Sequence, residues 1–214
     1  MLVERNPDTL QSVKEECFEK GRKVFGLQLD LIDFGALRRE LAKIPSSFTV
    51  DILVNNAGFD RPGGSAKIDK EAFESVLGVH LTVPLILIQV FLPSMRKRKW
   101  GRIINVGSIY GLIGAKGELA YSTAKAGMIG LTKSVAREAG GDNITVNTVL
   151  PGLTRTPTIE TLMADKFKEM IIRETPLGRM AEPEEVAKVI AFLASEDASF
   201  LTATALPVSG GWGI

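Results

Sequence analysis

Short apolar runs alternate with amphipathic stretches along most of the chain. Strands are predicted at Val24–Leu29, Asp51–Asn55, Arg102–Val106, Ile144–Leu150 and Ala203–Val208, with Met1–Val3 as the end of another. Helices are predicted from the Asn6 cap to about Lys20, then at Phe34–Ala42, Ala72–Val79, Leu81–Met95, Tyr121–Ala139 and Pro183–Ala194, with an amphipathic segment at Thr158–Arg173. Strands that alternate with helices predict a mostly parallel, doubly wound α/β sheet. We therefore expect a single domain over residues 1–214.

Composition narrows the class of protein. A hydrophobic fraction of 45% and a charged fraction of 24% are ordinary for a globular protein, and the net charge of +1 indicates neither a nucleic-acid nor a membrane surface. The longest apolar stretch, Leu81–Met95, is shorter than the roughly 20 residues of a spanning helix, so it is predicted to be a buried interface helix. No signal-peptide pattern is visible, and the single cysteine, Cys17, fits a reducing compartment. We expect a cytoplasmic protein.

Candidate chemistry is concentrated between Asn105 and Lys125. Tyr121 and Lys125 are four residues apart and share one face of a helix, and Ser108 lies thirteen residues before Tyr121 across a glycine-rich loop. If the strand and the helix pack side by side, a hydroxyl, a phenol and an ammonium converge. A phenol with a pKa of about 10 becomes a useful base only when a cation within about 4–6 Å stabilises its phenolate. The alternative is a helix N-terminus with an incidental tyrosine and lysine.

These residues, together with the sequences Asn55–Gly58 and Pro151-Gly152, resemble the short-chain dehydrogenase/reductase family over almost the whole chain. The resemblance implies a Rossmann-like sheet and an NAD(P)-dependent oxidoreductase that interconverts an alcohol and a carbonyl by hydride transfer. It implies that Tyr121 exchanges the proton and that Ser108 orients the substrate oxygen. Lys125 would lower the pKa of the phenol and hold the nicotinamide ribose.

The resemblance also implies a set of cofactor contacts. They are Glu4, Asp30, Asn56, Ala57, Gly58, Tyr121, Lys125, Pro151, Gly152, Leu153 and Thr156. The small residues after Asn55 would let the backbone approach the cofactor, and the asparagine amides would tie neighbouring strands together. The segment from Pro151 to Thr156 would close over the nicotinamide. The alternatives are two ordinary turns.

Two charges near the N-terminus bear on the choice between NAD and NADP. Glu4 would accept hydrogen bonds from the adenosine ribose and favour NAD, whereas Arg5 would meet a 2′-phosphate and favour NADP. We expect NAD ahead of NADP; the alternative is two solvated charges. Asp30 would bond the adenine ring, or act as a turn or N-cap residue.

His80 is the only histidine. No second histidine or cysteine lies at ligand spacing, so we predict no metal site. The family usually has an asparagine here, 28 residues before the serine, that helps to hold a water near the lysine. An imidazole can also bond a water or a backbone carbonyl, so we predict that His80 supports catalysis. The alternative is a buried, hydrogen-bonded histidine at a helix kink.

The glycine-rich turn that normally opens this family, and holds the dinucleotide pyrophosphate, is not found in the sequence. Neither Gly111–Gly117 nor Gly210–Gly213 has the required spacing and context. We therefore expect an N-terminally truncated sheet that lacks the first strand, the first helix and most of the second strand. Val24–Leu29 would then have no obvious neighbour, and the edge at Ile52–Val54 would be bare and apolar.

The resemblance further implies a small-molecule alcohol or carbonyl substrate. The segment Thr158–Arg173 resembles the family's variable substrate lid, although it also fits an ordinary amphipathic helix. Leu81–Met95 and Tyr121–Ala139 resemble its dimerisation helices, so we expect a homodimer or homotetramer. No nucleic-acid or membrane partner is expected. The alternative function is that of a truncated or non-catalytic family member that binds a partner chain.

Overall fold

Residues 1–45 and 47–214 are described by the computed structural model, and the chain divides into two units, Met1–Phe48 and Thr49–Ile214. Each unit is built from parallel strands joined by helices. The assignment of the whole chain to one domain stays a prediction.

The first unit contains β1 (Leu2–Glu4), α1 (Pro7–Glu19), β2 (Gly26–Gln28) and α2 (Phe34–Ala42). The side chain of Asn6 accepts hydrogen bonds from the amides of Asp8 and Thr9, so α1 begins where the sequence predicts. The crossover through α1 brings β2 back beside β1 in parallel, with Leu2 opposite Gly26. The expectation that Val24–Leu29 has no neighbour is therefore wrong.

The second unit contains a sheet of four parallel strands in the order β3-β4-β5-β6. Its strands are β3 (Ile52–Asn55), β4 (Gly101–Val106), β5 (Ile144–Pro151) and β6 (Ala205–Val208). Its helices are α3 (Lys70–Leu77), α4 (Val83–Arg98), α5 (Tyr110–Ile113), α6 (Leu119–Ala139), α7 (Pro157–Leu162), α8 (Asp165–Glu174) and α9 (Pro183–Ala194). The pairing confirms the predicted parallel α/β sheet.

Helices cover both faces of the central strands, so residues on both faces of these strands are buried. All six residues of β4 are buried, and Ile104 packs with Val149 against Val186 and Leu193 of α9. On α6, Ala120 and Ala124 form a second buried cluster with Val76 of α3.

Three helical segments differ from the prediction. A π-helical turn at Gly78–Thr82 joins α3 to α4 and contains His80, which the alternative from the sequence placed at a helix kink. The short α5 occupies a stretch that the sequence predicted as loop, because one helical turn containing Gly111 leaves no periodic signal. The segment Thr158–Arg173, predicted as one amphipathic stretch, is divided between two helices, α7 and α8. They are separate because Met163 and Ala164 between them adopt extended backbone conformations.

The predicted apolar edge is present in the second unit. Strand β3 is an outer strand of its four-stranded sheet, and the side chains of Ile52 and Val54 are 45% and 41% exposed. An exposed apolar edge of this kind favours association.

The helical stretch Lys70–Arg98, 29 residues long, is long and apolar enough by composition to span a membrane. Of its most apolar window, 61% is buried inside the protein. Burial of that extent is what a core helix shows, as the sequence predicted for Leu81–Met95.

Candidate active site

The carboxyl ends of three strands place most of the predicted site residues at one edge of the second unit. In the parallel sheet, Asn55 lies opposite Asn105, and Val106 lies opposite Val149. The segments that follow β3, β4 and β5 therefore leave the sheet on the same side. They carry the predicted residues Asn56–Gly58, Ser108 and Pro151–Thr156 respectively.

A buried hydrogen-bond chain holds these strand ends together. Asn55 Nδ2 donates to Asn105 Oδ1 at 2.7 Å, and Asn105 Nδ2 donates to Thr132 Oγ1 at 2.8 Å. The hydroxyls of Thr132 and Thr148 share a further bond of 2.5 Å. This series of hydrogen bonds links β3, β4, α6 and β5. It confirms the prediction that an asparagine amide, here that of Asn55, ties neighbouring strands together. Such networks fix the relative positions of the elements they join.

Ser108, Tyr121 and Lys125 converge at this edge. Because α6 begins at Leu119, Tyr121 and Lys125 lie in successive turns, and Lys125 Nζ is 5.3 Å from the centroid of the Tyr121 ring. Lys125 Nζ also donates to the carbonyl oxygen of Val106 at 2.6 Å. The Ser108 hydroxyl acts on the phenol as a hydrogen-bond partner and works to lower the pKa of Tyr121.

Close contact between α5 and α6 makes this convergence possible. A Cβ atom on Gly111 would lie 2.7 Å from the backbone carbon of Lys125, so only glycine allows the two helices to approach this closely. Ser108, which directly precedes this turn, is thereby held against the first turns of α6.

Burial is the main cause of the pKa shifts of the Tyr121 phenol and the Lys125 ammonium. It raises the pKa of Tyr121 to about 12, and the hydrogen bond from Ser108 opposes only part of that shift. It also lowers the pKa of Lys125 to about 7. The direction for Tyr121 is opposite to the one expected from the sequence, because desolvation is the largest effect and outweighs the hydrogen bond from Ser108. A phenol that keeps its proton at neutral pH is suited to donate it.

The low pKa of Lys125 predicts a specific dependence of stability on pH. The pKa is about 7 in the folded chain and about 10.4 when unfolded. Between these values the unfolded chain binds the extra proton, so the free energy of unfolding rises with pH by up to about 1.4 kcal/mol per pH unit. Below pH 7 the contribution is constant. Lys125→Met is expected to remove this rise in urea denaturation at pH 7, 8 and 9.

The control for this measurement is Lys133→Met, which removes an exposed lysine from the same helix. It should follow the pH dependence of the parent chain. If the free energy of unfolding of Lys125→Met rises with pH as steeply as that of the parent chain, the assigned pKa of Lys125 is contradicted.

His80 is buried beside the phenol. Its Nε2 lies 2.8 Å from the carbonyl oxygen of Phe59, so Nε2 carries the proton and donates it. Its Nδ1 is buried without a hydrogen-bond partner among the described residues. The ring stands edge-on to Tyr121 with a centroid distance of 5.4 Å. Burial, with the positive charge of Lys125 adding to it, lowers the pKa of His80 to about 4, so the imidazole is neutral at physiological pH.

The remaining predicted residues make local contacts. In the first unit, Glu4 Oε1 accepts hydrogen bonds from the amides of Arg5 and Asn6, both at 2.9 Å. Asp30 Oδ1 accepts from the Ile32 amide at 3.0 Å, which confirms it as a turn residue. In the second unit, the Thr156 hydroxyl caps α7 by accepting from the Ile159 amide. Their contacts to a cofactor stay predictions.

The sequence analysis missed two carboxyl groups at this edge. Asp60 lies two residues after Gly58, and Glu118 lies three residues before Tyr121. Burial raises the pKa of Glu118 to about 8, and a hydrogen bond with Asp60 adds to the shift. The sequence contains no signal that would pair two acids 58 positions apart. It does show that each acid lies within three residues of a predicted site residue.

Comparison with known proteins gives a family match over nearly the whole chain. The model of a family described as enoyl-(acyl carrier protein) reductase matches residues 1–213. The comparisons therefore do not confirm the expected loss of a glycine-rich front segment.

Curated relatives include reductases of 3-oxoacyl groups. The chain is 38% identical over 203 residues to the 3-oxoacyl-[acyl-carrier-protein] reductase FabG of Aquifex aeolicus, covering 94% of this chain and 82% of that protein. It is 37% identical over 199 residues to the acetoacetyl-CoA reductase of Rhizobium meliloti, covering 92% of this chain and 83% of the relative.

Solved structures with the same fold include two reductases. YwfH, an NADPH-dependent reductase involved in bacilysin biosynthesis, matches with a TM-score of 0.90 at 28% identity, over 99% of this chain and 87% of that one. A 3-oxoacyl-[acyl-carrier protein] reductase from Brucella melitensis matches with a TM-score of 0.91 at 27% identity, over 99% of this chain and 81% of that one.

Proposed function

The chain belongs to the short-chain dehydrogenase/reductase family, and we propose that it is an NADPH-dependent reductase of 3-oxoacyl thioesters. Membership makes it an NAD(P)-dependent oxidoreductase with a Rossmann-like fold. The observation that carries the proposal is the convergence of a protonated, partly buried phenol with Lys125 and Ser108 at the carboxyl ends of the strands. The substrate class is suggested by the names of the FabG and acetoacetyl-CoA reductase relatives.

Each residue of the site has a separate role in this proposal. Ser108 donates a hydrogen bond to the substrate carbonyl and orients it, while Tyr121 transfers its proton to the same oxygen. Lys125, held by the Val106 carbonyl, stabilises the phenolate that remains and contacts the ribose of the nicotinamide half. The nicotinamide supplies the hydride when the cofactor is bound.

The residues at this edge fit the nicotinamide half of a dinucleotide. Asn56, Ala57 and Gly58 are exposed and small, so backbone can approach a bound group there. The partly buried Pro151–Leu153 and Thr156 extend from the end of the neighbouring strand. We assign these residues to cofactor contacts. For the first unit taken by itself, contacts of Glu4 and Asp30 with the adenosine of a cofactor stay predictions.

For the choice of cofactor we propose NADPH, which replaces the preference for NAD expected from the sequence. The NADPH-dependent structural relative YwfH supports this choice. So does the first unit by itself, because the Glu4 carboxylate is engaged by two backbone amides. The side chain of Arg5 is 74% exposed, with Asp30 at 4.0 Å from its guanidinium as a weak ionic neighbour. A free guanidinium is the usual partner of a 2′-phosphate.

His80 is assigned a positioning role. Its unpartnered Nδ1 is an acceptor in a buried place beside Tyr121 and Lys125, so it is suited to hold a water that returns a proton to the site. Its low pKa keeps the imidazole neutral, which avoids a second positive charge beside Lys125.

The helices α7 and α8 are proposed to receive the acyl chain. Ile171 is buried in a cluster with Ile109 and Trp212, and Met163 packs against it. Leu162 and Phe167 are exposed, so the same helices also present apolar side chains outward. An apolar acyl group would be bound by such surfaces through burial of area.

We also propose a cytoplasmic homodimer or homotetramer assembled through α4 and α6. The exposed apolar side chains of Leu85 and Val90 on α4 support this assembly. A monomeric mass in light scattering, or recovery of the native protein outside the cytoplasmic fraction, would contradict these assignments.

The proposal is tested by following nicotinamide absorbance with acetoacetyl-CoA as substrate. The chain is expected to consume NADPH and to bind it at least about tenfold more tightly than NADH, because a guanidinium–phosphate pair contributes on the order of 1.4 kcal/mol. Arg5→Ala should abolish this preference, whereas Arg22→Ala, an exposed control in the same unit, should retain it. A folded chain that binds neither nucleotide would instead indicate a non-catalytic, partner-binding protein.

A further inference from the structure

The segment that follows β6 brings Trp212 against the loop that carries Ser108. The Trp212 amide donates to the carbonyl oxygen of Ser209 at 3.2 Å, which closes a turn directly after the strand. Gly213 has a φ of +75°, and a Cβ atom on it would lie 2.8 Å from Cγ1 of Ile109. Only glycine combines this backbone conformation with so close an approach. The position of the tryptophan is therefore fixed by the backbone around it.

The indole ring of Trp212 is held on several sides. Its Nε1 donates to Glu174 Oε2 at the end of α8, at 3.1 Å. The ring stands edge-on to that of Tyr110 on α5, with a centroid distance of 5.5 Å. It also forms a buried cluster with Ile109 and Ile171. The residue is 9% exposed, so the ring has little room to move without breaking these contacts.

This cluster adjoins the groups that are proposed to bind the reacting carbonyl. The Tyr110 amide donates to the Ser108 hydroxyl at 3.2 Å, and Ile109 lies between these two residues. The Ile109 amide donates to the carbonyl oxygen of Pro151 at 3.0 Å, and Leu153 packs against the cluster. The apolar space beside the serine is thus filled by side chains of the protein itself, and the indole is the largest of them.

We propose that Trp212 limits the length of the acyl group, so that the site accepts acetoacetyl thioesters and excludes longer 3-oxoacyl thioesters. This inference rests on the proposed function, because it takes Ser108 as the group that binds the carbonyl and α8 as a wall of the acyl site. An acetoacetyl group carries only a methyl group beyond its reacting carbonyl, whereas a 3-oxooctanoyl group carries a pentyl group there. The pentyl group would need the volume of the indole, and displacing the ring would break its bond to Glu174 and unpack the cluster.

The test compares acetoacetyl-CoA with 3-oxooctanoyl-CoA at saturating NADPH. The measured quantity is the ratio of their kcat/KM values, because effects on the cofactor or on Tyr121 cancel in it. The parent chain should prefer acetoacetyl-CoA by at least about tenfold, the discrimination that an apolar pocket reaches against an oversized group.

Two substitutions at Trp212 vacate different volumes. Trp212→Ala should lower the ratio by at least about tenfold, because the pentyl group then enters the space of the indole. Trp212→Leu keeps an apolar side chain in the cluster and should be the more stable variant. Its ratio should fall by at least about fourfold, the contribution of one buried methylene. If Trp212→Ala does not fold, the Trp212→Leu ratio decides.

The other tryptophan provides a matched control. The Trp100 indole also donates to a glutamate, Glu196 Oε1, at 2.6 Å. Trp100 directly precedes β4, and the six residues of that strand separate it by about 20 Å from the end that carries Ser108. Trp100→Leu removes the same type of side chain and the same type of hydrogen bond, so it should lower stability but leave the ratio as in the parent.

Fluorescence gives a measurement that leaves the cluster intact. Trp100→Phe makes Trp212 the only tryptophan of the chain. Titration of this variant with acetoacetyl-CoA should change the emission of Trp212 in a saturable way, because the acyl group binds against the indole. Binding of acetoacetyl-CoA in calorimetry without any change in this emission would contradict the inference.

The outcomes distinguish this inference from the proposed function. Reduction of acetoacetyl-CoA by the parent, with the same ratio in the parent and in folded Trp212→Leu, overturns the inference alone. A parent chain that prefers 3-oxooctanoyl-CoA also overturns the inference and leaves the proposed function standing. If the parent neither reduces nor binds either thioester, the inference and the proposed function fail together.

Discussion

Replacing Tyr121 by phenylalanine is expected to lower kcat by about 10³-fold, while the chain stays folded and still binds cofactor. General acid catalysis contributes about 10² to 10⁴-fold, and the phenol is the group placed to supply the proton. The aromatic ring remains, so the edge-on contact with His80 at 5.4 Å is preserved. The change in stability should stay within about 1.5 kcal/mol, the usual net contribution of one hydrogen bond.

The other tyrosine provides a matched control. Tyr110 on α5 is also partly buried near the site, and its backbone amide donates to the Ser108 hydroxyl at 3.2 Å. Tyr110→Phe leaves that backbone bond intact and should change kcat by less than about threefold. Steady-state rates with NADPH, a melting curve and a nucleotide titration suffice for both variants. A rate for Tyr121→Phe within threefold of the parent would refute the role of the phenol.

Substituting alanine for Gly58 is expected to destabilise the protein by about 3 kcal/mol. A Cβ atom there would lie 2.1 Å from Cε1 of His80 and 2.9 Å from both ring nitrogens, far inside van der Waals contact. The ring is 2% exposed and bonded to Phe59, so it cannot move aside without losing packing or that bond. The melting temperature should fall by about 6–12 °C, and activity should fall with it because the ring contacts Tyr121.

Two further variants test whether the loss of stability in Gly58→Ala comes from the clash with the His80 ring. Gly64→Ala introduces a Cβ with no heavy atom within 4 Å and should change the melting temperature little. Gly58→Ala combined with His80→Ala should be more stable than the sum of the two single changes, by about 2 kcal/mol, because the clash is absent once the ring is removed. Additive effects of the two substitutions in thermal denaturation would show that the ring and Gly58 are not coupled.

Periodicity predicted the architecture of the second unit well. The strands Arg102–Val106 and Ile144–Leu150 coincide closely with β4 and β5, since both are buried on two faces and rich in Ile and Val. Boundaries were less reliable at short elements. Helix α5 was missed, and the segment Thr158–Arg173 proved to be two helices.

The candidate site was predicted in part. The four-residue spacing of Tyr121 and Lys125 and the strand-end position of Ser108 led to a trio that the fold brings together. The expected depression of the phenol pKa was not found, because the sequence does not show how deeply Tyr121 is buried. The preference for NAD likewise came from weighing Glu4 against Arg5 before the contacts of Glu4 with backbone amides were known.

What the sequence determined by itself is the set of local relationships: the order of strands and helices, and the residues that share a helix face or follow a strand end. These depend on the spacing of neighbouring residues, which is printed in the chain. The tertiary structure alone decided the protonation of Tyr121 and Lys125, the pairing of Asp60 with Glu118, and the need for glycine beside His80. Those properties depend on desolvation and on contacts between segments far apart in sequence, and both arise only when the loops pack against α6.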